Sequence, residues 1–266
     1  MFEGVLTKMT TENNSPIRYY LRMRTHFLEL NKCIGKTLQI DFEGYECLQC
    51  GLEKDIYRQG FCKSCFFETP AAGEWILRPE LSKAHLGKAD RDLAYEEKMQ
   101  LQPHIVYLAL SSDVKVGVTR KSQVPTRWID QGANQAIPLL ETPNRYLAGM
   151  AELTLKNFFP DKTNWRKMLT ASPEDVDWQA LKEKAKNHLP HDLKQYEVTT
   201  DAVTSLEFPV KGNLPDKVSS LNLSKTPHFE GVLKGIKGQY LIFEGGVVWN
   251  VRSHEGTVTR LSLHSQ

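Results

Sequence analysis

Alternation of hydrophobic and polar residues predicts β-strands at both ends of the chain. Near the N-terminus the alternating runs are Phe2–Met9, Ile17–Arg24 and Lys36–Phe42, and the polar segment TTENNSP between the first two predicts a turn. Strand-like alternation returns over residues 196–210 and 228–263. We therefore expect both ends of the chain to be β structure.

Two short repeats connect these terminal regions. The sequence FEGVL stands at Phe2–Leu6 and again at Phe229–Leu233, and FEG stands at Phe42–Gly44 and again at Phe243–Gly245. If the repeats reflect related structure, the termini form two similar β units that could be halves of one small barrel. The chain would then fold back so that its ends meet.

In the middle of the chain the pattern changes to alternating strands and helices. Two apolar strands, His104–Leu110 and Val114–Thr119, flank the polar turn at residues 111–113 and predict a hairpin. A helix around Arg127 follows, and then a third apolar run, Ala136–Leu140. With the helix after it, the predicted order is strand, strand, helix, strand, helix.

The last helix of this region has a marked start. Thr142 is expected to be its N-cap, with Pro143 at the first helical position, where the missing N–H costs nothing. Residues at helical spacing give the helix one apolar face, formed by Leu147, Ala151, Leu155 and Phe158. Glu152 lies beside that face, so a carboxylate is predicted at the border of a core.

Two further helices are predicted downstream. Pro160 opens a short helix that continues through Trp165 and Met168. Ser172 is expected to cap the next helix, whose amphipathic part covers Trp178–Leu189 and ends before a proline.

Length and composition limit the class of protein. At 266 residues the chain suits one large domain or two to three small ones, and 40% hydrophobic and 25% charged residues are typical of a soluble globular protein. No apolar run approaches the roughly 18 residues that cross a membrane. The first residues lack the basic and then apolar pattern of a signal peptide. We therefore expect a cytoplasmic protein with no membrane partner.

The cysteines carry the most specific motif. Cys47, Cys50, Cys62 and Cys65 form two C-x-x-C pairs separated by eleven residues, a spacing that can close a tetrahedral zinc site. Two disulfides, a redox pair and an iron–sulfur cluster are the alternatives, and disulfides are disfavoured in the cytoplasm. We expect structural Zn²⁺, with Cys33 left over as a small buried residue. Nearby Lys54, Arg58 and Lys63 could contact phosphates, or the knuckle could be scaffold only.

The net charge of +2 does not by itself indicate a nucleic-acid partner, because the local placement of cations decides phosphate binding. Cations gather around the central motif and its last helix, at Lys115, Arg120, Lys121, Arg127, Lys162, Arg166 and Lys167. Such a group is often only a solvated face. Its position around one motif favours contacts with RNA or DNA.

The last β unit mixes cations with aromatic residues. Small barrels bind single strands through such residues, yet they also use Tyr and Trp in their cores, so both interpretations stand. The candidate nucleic-acid-binding residues of the whole chain are Arg120, Lys121, Arg166, Lys237, Tyr240, Trp249 and Arg252.

Residues 69–102 show poor periodicity. This length without regular structure predicts either a functional segment or one that wraps another domain. His85 and His104 could be ligands or bases near the central site, or hydrogen-bonded structural residues.

The central order of elements, with its residues, resembles the GIY-YIG nuclease domain. Val106-Tyr107 stands where that family has Ile-Tyr, Lys115-Val116-Gly117 where it has Tyr-Ile-Gly, Arg127 matches the helix arginine, and Glu152 the metal-binding glutamate. The likeness covers about a fifth of the chain. Lys115 replaces the second-motif tyrosine, Ile105 replaces the first glycine, and Gln131 stands where many relatives have His.

The resemblance implies a catalytic set of Tyr107, Lys115, Arg127 and Glu152. In the family the tyrosine helps to activate water, the arginine steadies the scissile phosphate, and the glutamate holds one divalent metal, here Mg²⁺ or Mn²⁺ at Glu152. The whole chain resembles a bacterial family of unknown function that joins such a domain to a four-cysteine motif.

These observations predict an α+β protein with a central GIY-YIG-like ββαβα domain, a four-cysteine zinc knuckle and terminal β units. The predicted segments are residues 1–46, 47–68, 69–102, 103–192 and 193–266. The expected function is nucleic-acid binding with metal-dependent phosphodiester cleavage. The alternatives are a non-catalytic RNA-binding or assembly module on a degenerate nuclease fold, and a nucleic-acid-modifying enzyme on the same scaffold.

Overall fold

The computed structural model of the protein describes residues 1–23, 26–172 and 174–264, and within them strands and helices follow one another along the whole chain. The strands are β1 (Phe2–Val5), β2 (Thr10–Glu12), β3 (Arg18–Met23), β4 (His26–Glu29), β5 (Thr37–Tyr45), β6 (His104–Leu110), β7 (Val114–Arg120), β8 (Gln135–Thr142), β9 (Thr204–Ser205), β10 (Ser219–Ser220), β11 (His228–Lys237), β12 (Tyr240–Phe243), β13 (Val247–Asn250) and β14 (Thr257–His264).

The α-helices are α1 (Lys63–Glu68), α2 (Leu93–Gln100), α3 (Thr126–Asp130), α4 (Arg145–Leu155), α5 (Trp165–Thr170) and α6 (Trp178–His188). Short 3-10 helices cover Leu30–Cys33, Pro70–Ala72, Glu74–Ile76, Pro79–Leu81, Ala84–Leu86, Lys121–Gln123, His191–Tyr196, Glu244–Gly246 and Val251–His254. The predicted α+β class is confirmed.

The chain divides into two compact units. Unit 1 takes the described residues within Met1–Phe67, Leu169–Ser172 and Leu206–Gln266, and unit 2 takes those within Glu68–Met168 and Pro173–Ser205. The finer division into five segments stays a prediction.

Unit 1 is built on a seven-stranded sheet in the order β1-β14-β5-β11-β12-β13-β10. Phe2 pairs with Leu261 and Phe229 pairs with Ile40, so strands from both ends of the chain lie side by side. The prediction that the ends meet is therefore confirmed. The proposed small barrel is wrong, because in the described residues β1 and β10 are the two edges of an open sheet.

A second sheet of unit 1, β2-β3-β4, differs from the N-terminal prediction. The first strand ends at Val5 rather than Met9, and β2 lies inside the segment that predicted only a turn. Thr10–Glu12 forms a strand because it pairs with Arg18–Tyr20 of β3. The predicted strand end at Arg24 lies outside the described residues.

Unit 2 contains the central sheet, in the antiparallel order β7-β6-β8-β9. The predicted order of strand, strand, helix, strand, helix is confirmed by β6, β7, α3, β8 and α4. All seven residues of β6 are buried, as expected of the middle strand in a covered sheet. Its core is continued by α4 and α6 through Ala148, Ala151, Leu155 and Ala185.

The start of α4 corrects a prediction. The N-cap is Asn144, whose side-chain oxygen accepts a hydrogen bond from the Leu147 amide at 3.0 Å, whereas Thr142 is the last residue of β8. The Thr142 hydroxyl instead donates to the Asn144 carbonyl oxygen at 2.9 Å. The helix ends at Leu155, so Phe158 is off its apolar face and exposed, and Phe159 is buried in its place.

Both later helices begin further along the chain than predicted: the helix expected to open at Pro160 is α5, which begins at Trp165. The helix predicted to be capped by Ser172 begins at Trp178, where the Asp177 carboxylate caps it by accepting from the Ala180 amide at 2.9 Å. It ends at His188, before Pro190, as predicted.

Residues 69–102 form short 3-10 helices and α2 against α4. The buried Glu96 carboxylate accepts hydrogen bonds from the amides of Asp90, Arg91 and Asp92, which fixes the turn before α2. At Gly149 of α4 a Cβ would lie 2.3 Å from the Glu80 nitrogen. The segment therefore wraps α4 at backbone contact distance.

Candidate functional site

The four knuckle cysteines converge in unit 1. One sulfur from each of Cys47, Cys50, Cys62 and Cys65 lies within 4.8 Å of the others, although the two pairs come from different turns of the chain. A tetrahedral zinc site, with Zn–S bonds of about 2.3 Å, places its sulfurs about 3.8 Å apart. The cluster is therefore close to the spacing that a metal ion such as Zn²⁺ requires.

Tight turns bring the two pairs together. Gly51 and Gly60 have φ of 68° and 78°, the left-handed region that glycine adopts without strain. A side chain at Gly60 would also meet Leu48 Cδ1 at 2.4 Å. Each C-x-x-C pair thus has a glycine at the turn that aims it at the other pair.

Backbone amides favour the thiolate form at Cys47. The Cys62 amide donates to Cys47 Sγ at 3.2 Å. Burial raises the pKa of the Cys47 thiol, but the amides of Cys50, Cys62 and Gln49 outweigh it and bring that pKa to about 6. Thiolates are the form that binds metal. The donor set and its amides therefore fit a metal ion, and Cys33 stays apart as a buried residue, as predicted.

In unit 2, Tyr107 is the first member of the predicted catalytic set. It is fully buried on β6, packs edge-on against Trp128 at 5.7 Å between ring centroids, and donates to Gln131 Oε1 at 2.9 Å. A Cβ at Gly117, the partner of Tyr107 in β7, would lie 2.7 Å from its hydroxyl. Burial raises the pKa of Tyr107 to about 12, although the positive charge of Arg127 acts to lower it.

Lys115 is the second member of the set. It is 5% exposed, and its Nζ donates to Thr163 Oγ1 at 2.6 Å. Burial, and to a smaller extent the positive charge of Arg127, lower the pKa of Lys115 to about 8. The negative charges of Asp161 and Glu152 act in the opposite direction. An amine with this pKa can exchange protons near neutral pH.

Glu152 is the third member and lies 8% exposed on α4. Its Oε2 is 3.5 Å from Lys156 Nζ, which is also 3.5 Å from Asp161 Oδ2. Burial raises the pKa of the Glu152 carboxyl, while Lys156 and Arg145 oppose the rise. Arg127 and Glu152 thus each act electrostatically on both Tyr107 and Lys115, and all four residues except the half-buried Arg127 are largely shielded from solvent.

The predicted nucleic-acid-binding residues separate into exposed and buried groups. Arg166 is exposed and stacks on Trp165 at 4.3 Å, and Arg252 is exposed, while Lys121 is exposed but paired with Glu141 at 2.7 Å. Arg120 is half-buried, and Tyr240 is half-buried at the start of β12. Lys237 and Trp249 are 3% and 0% exposed. These last two are therefore buried within unit 1 rather than exposed as the binding interpretation expects.

The two histidines that the sequence suggested as ligands or bases, His85 and His104, are not exposed. His85 stacks on Tyr146 with 4.4 Å between ring centroids. His104 is fully buried on β6, with Nδ1 2.7 Å from the Gln102 carbonyl oxygen, and burial lowers its pKa to about 4. His104 therefore fits the hydrogen-bonded structural interpretation, whereas the buried Nδ1 of His85 has no hydrogen-bond partner among the described residues.

Sequence reasoning missed several groups that adjoin the set. The Thr163 hydroxyl accepts a hydrogen bond from Lys115, and Asp161 forms an ion pair with Lys156, which also pairs with Glu152. Arg145 donates hydrogen bonds to the carbonyl oxygens of Trp75 and Ile76 at 3.1 and 2.7 Å. Thr163 and Asp161 are far from Lys115 in sequence, and Arg145 was hidden by the misplaced helix start. Only Arg145, a cation in the first turn of a helix where the macrodipole disfavours it, carried a local signal.

The fold and the site define an α+β protein with a four-cysteine cluster that could bind a metal ion. The chain belongs to a protein family described as "Protein of unknown function (DUF2797)", whose family model matches residues 35–259. This confirms the expected membership of a family of unknown function. Comparisons with curated proteins and with solved structures gave no match. In the described part of the chain, the helices are too short or too polar to cross a membrane.

Proposed function

We propose that this chain is a cytoplasmic zinc protein that binds nucleic acid through unit 2. The observation that carries the proposal is that Lys115 and Arg127, from a strand and from a helix, lie near enough for Arg127 to lower the pKa of Lys115. The carboxylates of Asp161 and Glu152 relieve part of the repulsion between these two cations, and an added anion would relieve more of it. RNA and DNA backbones supply such anions at regular spacing.

The zinc part of the proposal rests on the four cysteines. Their sulfurs approach within 4.8 Å, and the Cys62 amide already donates to one of them. A structural ion there would hold together a segment in which most residues between the pairs are exposed and too few are buried to form a core. A reducing compartment such as the cytoplasm keeps the thiols free for metal.

Metal analysis tests the zinc part. Protein purified without chelator or oxidant is expected to contain about one zinc per chain. Cys62→Ser should lose the ion, whereas Cys33→Ser, which removes the cysteine outside the cluster, should retain it. Zinc-free protein of native stability would contradict the proposal.

Fluorescence anisotropy with labelled RNA and DNA oligonucleotides tests the nucleic-acid part. Wild type should bind at least one of them, and Arg127→Ala should weaken binding. Absence of binding to every oligonucleotide would leave an assembly role as the only remaining alternative.

A second candidate function is metal-dependent phosphodiester cleavage by Tyr107, Lys115, Arg127 and Glu152. One observation favours it: Glu152 Oε2 is buried and, apart from the Lys156 ammonium at 3.5 Å, has no donor within the described residues, which suits a carboxylate that would hold Mg²⁺ or Mn²⁺. The ion would neutralise charge on the attacked phosphate. Arg127 would steady that phosphate, and Lys115 would accept the proton of the attacking water.

The burial of Tyr107 and its high pKa favour the non-catalytic alternative, because a tyrosine that is fully shielded is a poor base. Glu152→Gln separates the two. It should abolish any cleavage that requires Mg²⁺ or Mn²⁺ while leaving oligonucleotide affinity nearly unchanged. Wild type that cuts no RNA or DNA with either metal, or a Gln variant as fast as wild type, would exclude the nuclease candidate.

A further inference from the structure

Three aromatic rings of the four-cysteine segment contact one another in unit 1. Tyr57 lies between the two C-x-x-C pairs, and Phe66 and Phe67 are on α1, directly after the last cysteine. The ring centroids are 5.3 Å apart for Tyr57 and Phe66, 5.7 Å for Tyr57 and Phe67, and 5.4 Å for Phe66 and Phe67. We call Tyr57, Phe66 and Phe67 the aromatic cluster.

The aromatic cluster consists of one supporting ring and two exposed rings. Phe66 is half-buried and meets the other two edge-on, at interplanar angles of 67° and 84°. Tyr57 is 43% exposed and Phe67 is 56% exposed, and their planes are tilted by only 35° to each other. Phe66 therefore holds two rings whose surfaces remain open to solvent.

The cysteine turns fix the positions of these rings. The Tyr57 amide donates to the Phe61 carbonyl oxygen at 2.8 Å, and the Phe66 amide donates to the Cys62 carbonyl oxygen at 2.9 Å. The cluster is thus anchored on both sides of the second C-x-x-C pair. Aromatic side chains held in this way lose little conformational entropy when they bind a ligand.

Two cations accompany the rings. The Arg58 guanidinium lies over the Tyr57 ring at 5.4 Å from its centroid, and Lys63 precedes Phe66 and Phe67 by three and four residues, which places it on their side of α1. Both cations are exposed, and neither forms an ion pair among the residues that the structure describes. Residues 56–67 contain no carboxylate. The surface therefore combines flat apolar rings with cations that can contact an anion.

The size of the surface favours a small flat ligand group over a folded protein. A fully covered aromatic side chain buries about 150–250 Å², so the exposed parts of Tyr57 and Phe67 amount to about 200 Å². A stable protein interface needs about 800 Å² on each partner. Even with the exposed parts of Leu48 and Leu52 from the same segment, the apolar area stays well below that value.

We propose that the aromatic cluster binds the unpaired bases of a single-stranded nucleic acid. Bases would stack on Phe67 and Tyr57, while Arg58 and Lys63 contact the flanking phosphates. Every base has a flat π face, so this contact tolerates any sequence, whereas the bases of a duplex are already stacked on one another. The inference rests on the proposed function for its nucleic-acid partner and adds to it a surface of unit 1.

Fluorescence anisotropy of the full chain with short labelled single strands of RNA and DNA tests the proposal. Phe67→Ala and Tyr57→Ala should each weaken binding by about tenfold, the effect of losing one stacked base. Phe67→Trp, which keeps a flat ring, should bind as well as wild type. Phe27→Ala is the matched control, because Phe27 is a phenylalanine of unit 1 that is 67% exposed and lies outside the aromatic cluster. It should leave the affinity unchanged.

A strand of the same length without bases separates stacking from charge. Wild type should bind this abasic strand more weakly than the normal strand, and Phe67→Ala should largely remove the difference. Arg58→Gln should weaken binding to both strands, whereas Arg260→Gln, which removes a cation of unit 1 that is paired with Glu43, should change neither. Zinc content and thermal melting of each variant should match wild type, which shows that the cysteine segment is intact.

The outcomes separate this surface from the proposed function. Binding that Arg127→Gln weakens and neither alanine variant changes would overturn stacking at the aromatic cluster and leave nucleic-acid binding through unit 2. Binding that both alanine variants weaken and Arg127→Gln does not would support the aromatic cluster and contradict the route through unit 2. Equal affinity of wild type for normal and abasic strands overturns stacking, as does the absence of binding to every single strand. Dimerisation in sedimentation that Phe67→Ala abolishes, without base-dependent binding, would make the cluster a contact between copies and also overturns it.

Discussion

Lys115 and Lys182 are two buried lysines of unit 2 whose surroundings differ in one respect. Lys182 donates to Asp201 and to the carbonyl oxygens of Val198 and Thr200, whereas Lys115 donates to one hydroxyl. A buried cation with a complete set of acceptors stabilises the fold, and one without a counter-charge does not. The two lysines therefore contrast a complete set of acceptors with a single hydroxyl acceptor, and under the proposed function the second, Lys115, binds phosphate.

This difference predicts opposite effects of the same substitution. Lys182→Met should cost about 1–3 kcal/mol, because it leaves carbonyl oxygens without a donor. Lys115→Met should cost less than about 1 kcal/mol or stabilise unit 2, since it removes repulsion from Arg127 and keeps the apolar stem. Urea denaturation of both variants measures the changes. A greater loss for Lys115→Met than for Lys182→Met would mean that Lys115 is structural.

His104 predicts how the stability of unit 2 depends on pH. Its pKa is lowered from 6.5 to about 4 because burial disfavours the charged ring. The unfolded chain therefore binds a proton at higher pH than the folded chain does. The stabilisation is complete above pH 6.5 and is lost as the pH falls towards 4, with a limit of about 3 kcal/mol.

Denaturation at pH 7 and pH 4.5 checks this sign. His104→Gln, which can still donate to the Gln102 carbonyl oxygen, should lose less stability than wild type over this interval. His191→Gln, at an exposed position, should behave like wild type. A loss in His104→Gln as large as in wild type would show that the buried ring is not responsible.

At the scale of single residues, the sequence predicted chemistry better than exposure. The four cysteines were identified from spacing alone, because C-x-x-C pairs need only local turns to converge. Trp249 and Lys237 were predicted at a binding surface, and both are buried. Alternation shows that neighbouring residues face opposite sides of a strand, but it does not tell which side is covered.

The helix α4 shows how far local signals define an element. Its existence and its buried residues Ala151 and Leu155 follow from helical spacing. Its start does not, because Thr142 and Asn144 are both good caps. The choice depends on β8, which keeps Thr142 in the sheet opposite His104.

The contact of α4 with residues 79 and 80 gives a prediction at the scale of elements. Alanine normally favours a helix by about 1 kcal/mol over glycine. At Gly149 a Cβ would lie 2.4 Å from the Pro79 carbonyl carbon, so overpacking should outweigh this gain and cost about 1–3 kcal/mol net.

Chemical denaturation of Gly149→Ala tests that contact. Gln179→Ala on the exposed face of α6 is the control and should change stability by less than about 0.5 kcal/mol. A Gly149→Ala variant as stable as wild type would mean that residues 69–102 do not pack closely on the helix.

At the scale of the whole molecule, the repeats at the two termini predicted that the ends would meet, and β1 does pair with β14. They did not predict an open sheet. Closure of a barrel depends on strand number, tilt and register, which are set by pairings between distant strands such as β5 with β11 and β14. Local patterns carry no information on them.

Unit 2 likewise has a predictable order of elements and an unpredictable charge environment. The strands and helices that carry Tyr107, Lys115, Arg127 and Glu152 follow from periodicity. The neutral partners of the cations come from distant positions, Met99 and Thr163, and only the folded chain brings them together. The charge environment of these side chains is therefore a property of the fold.

The salt dependence of oligonucleotide binding tests the central claim, nucleic-acid binding through unit 2, most directly. The logarithm of the binding constant should fall linearly with the logarithm of salt concentration, because each phosphate contact releases counterions. Arg127→Gln should reduce the slope by about one, and Arg260→Gln should leave it unchanged. An affinity that ignores salt, or a slope that is the same with and without Arg127, would contradict the account.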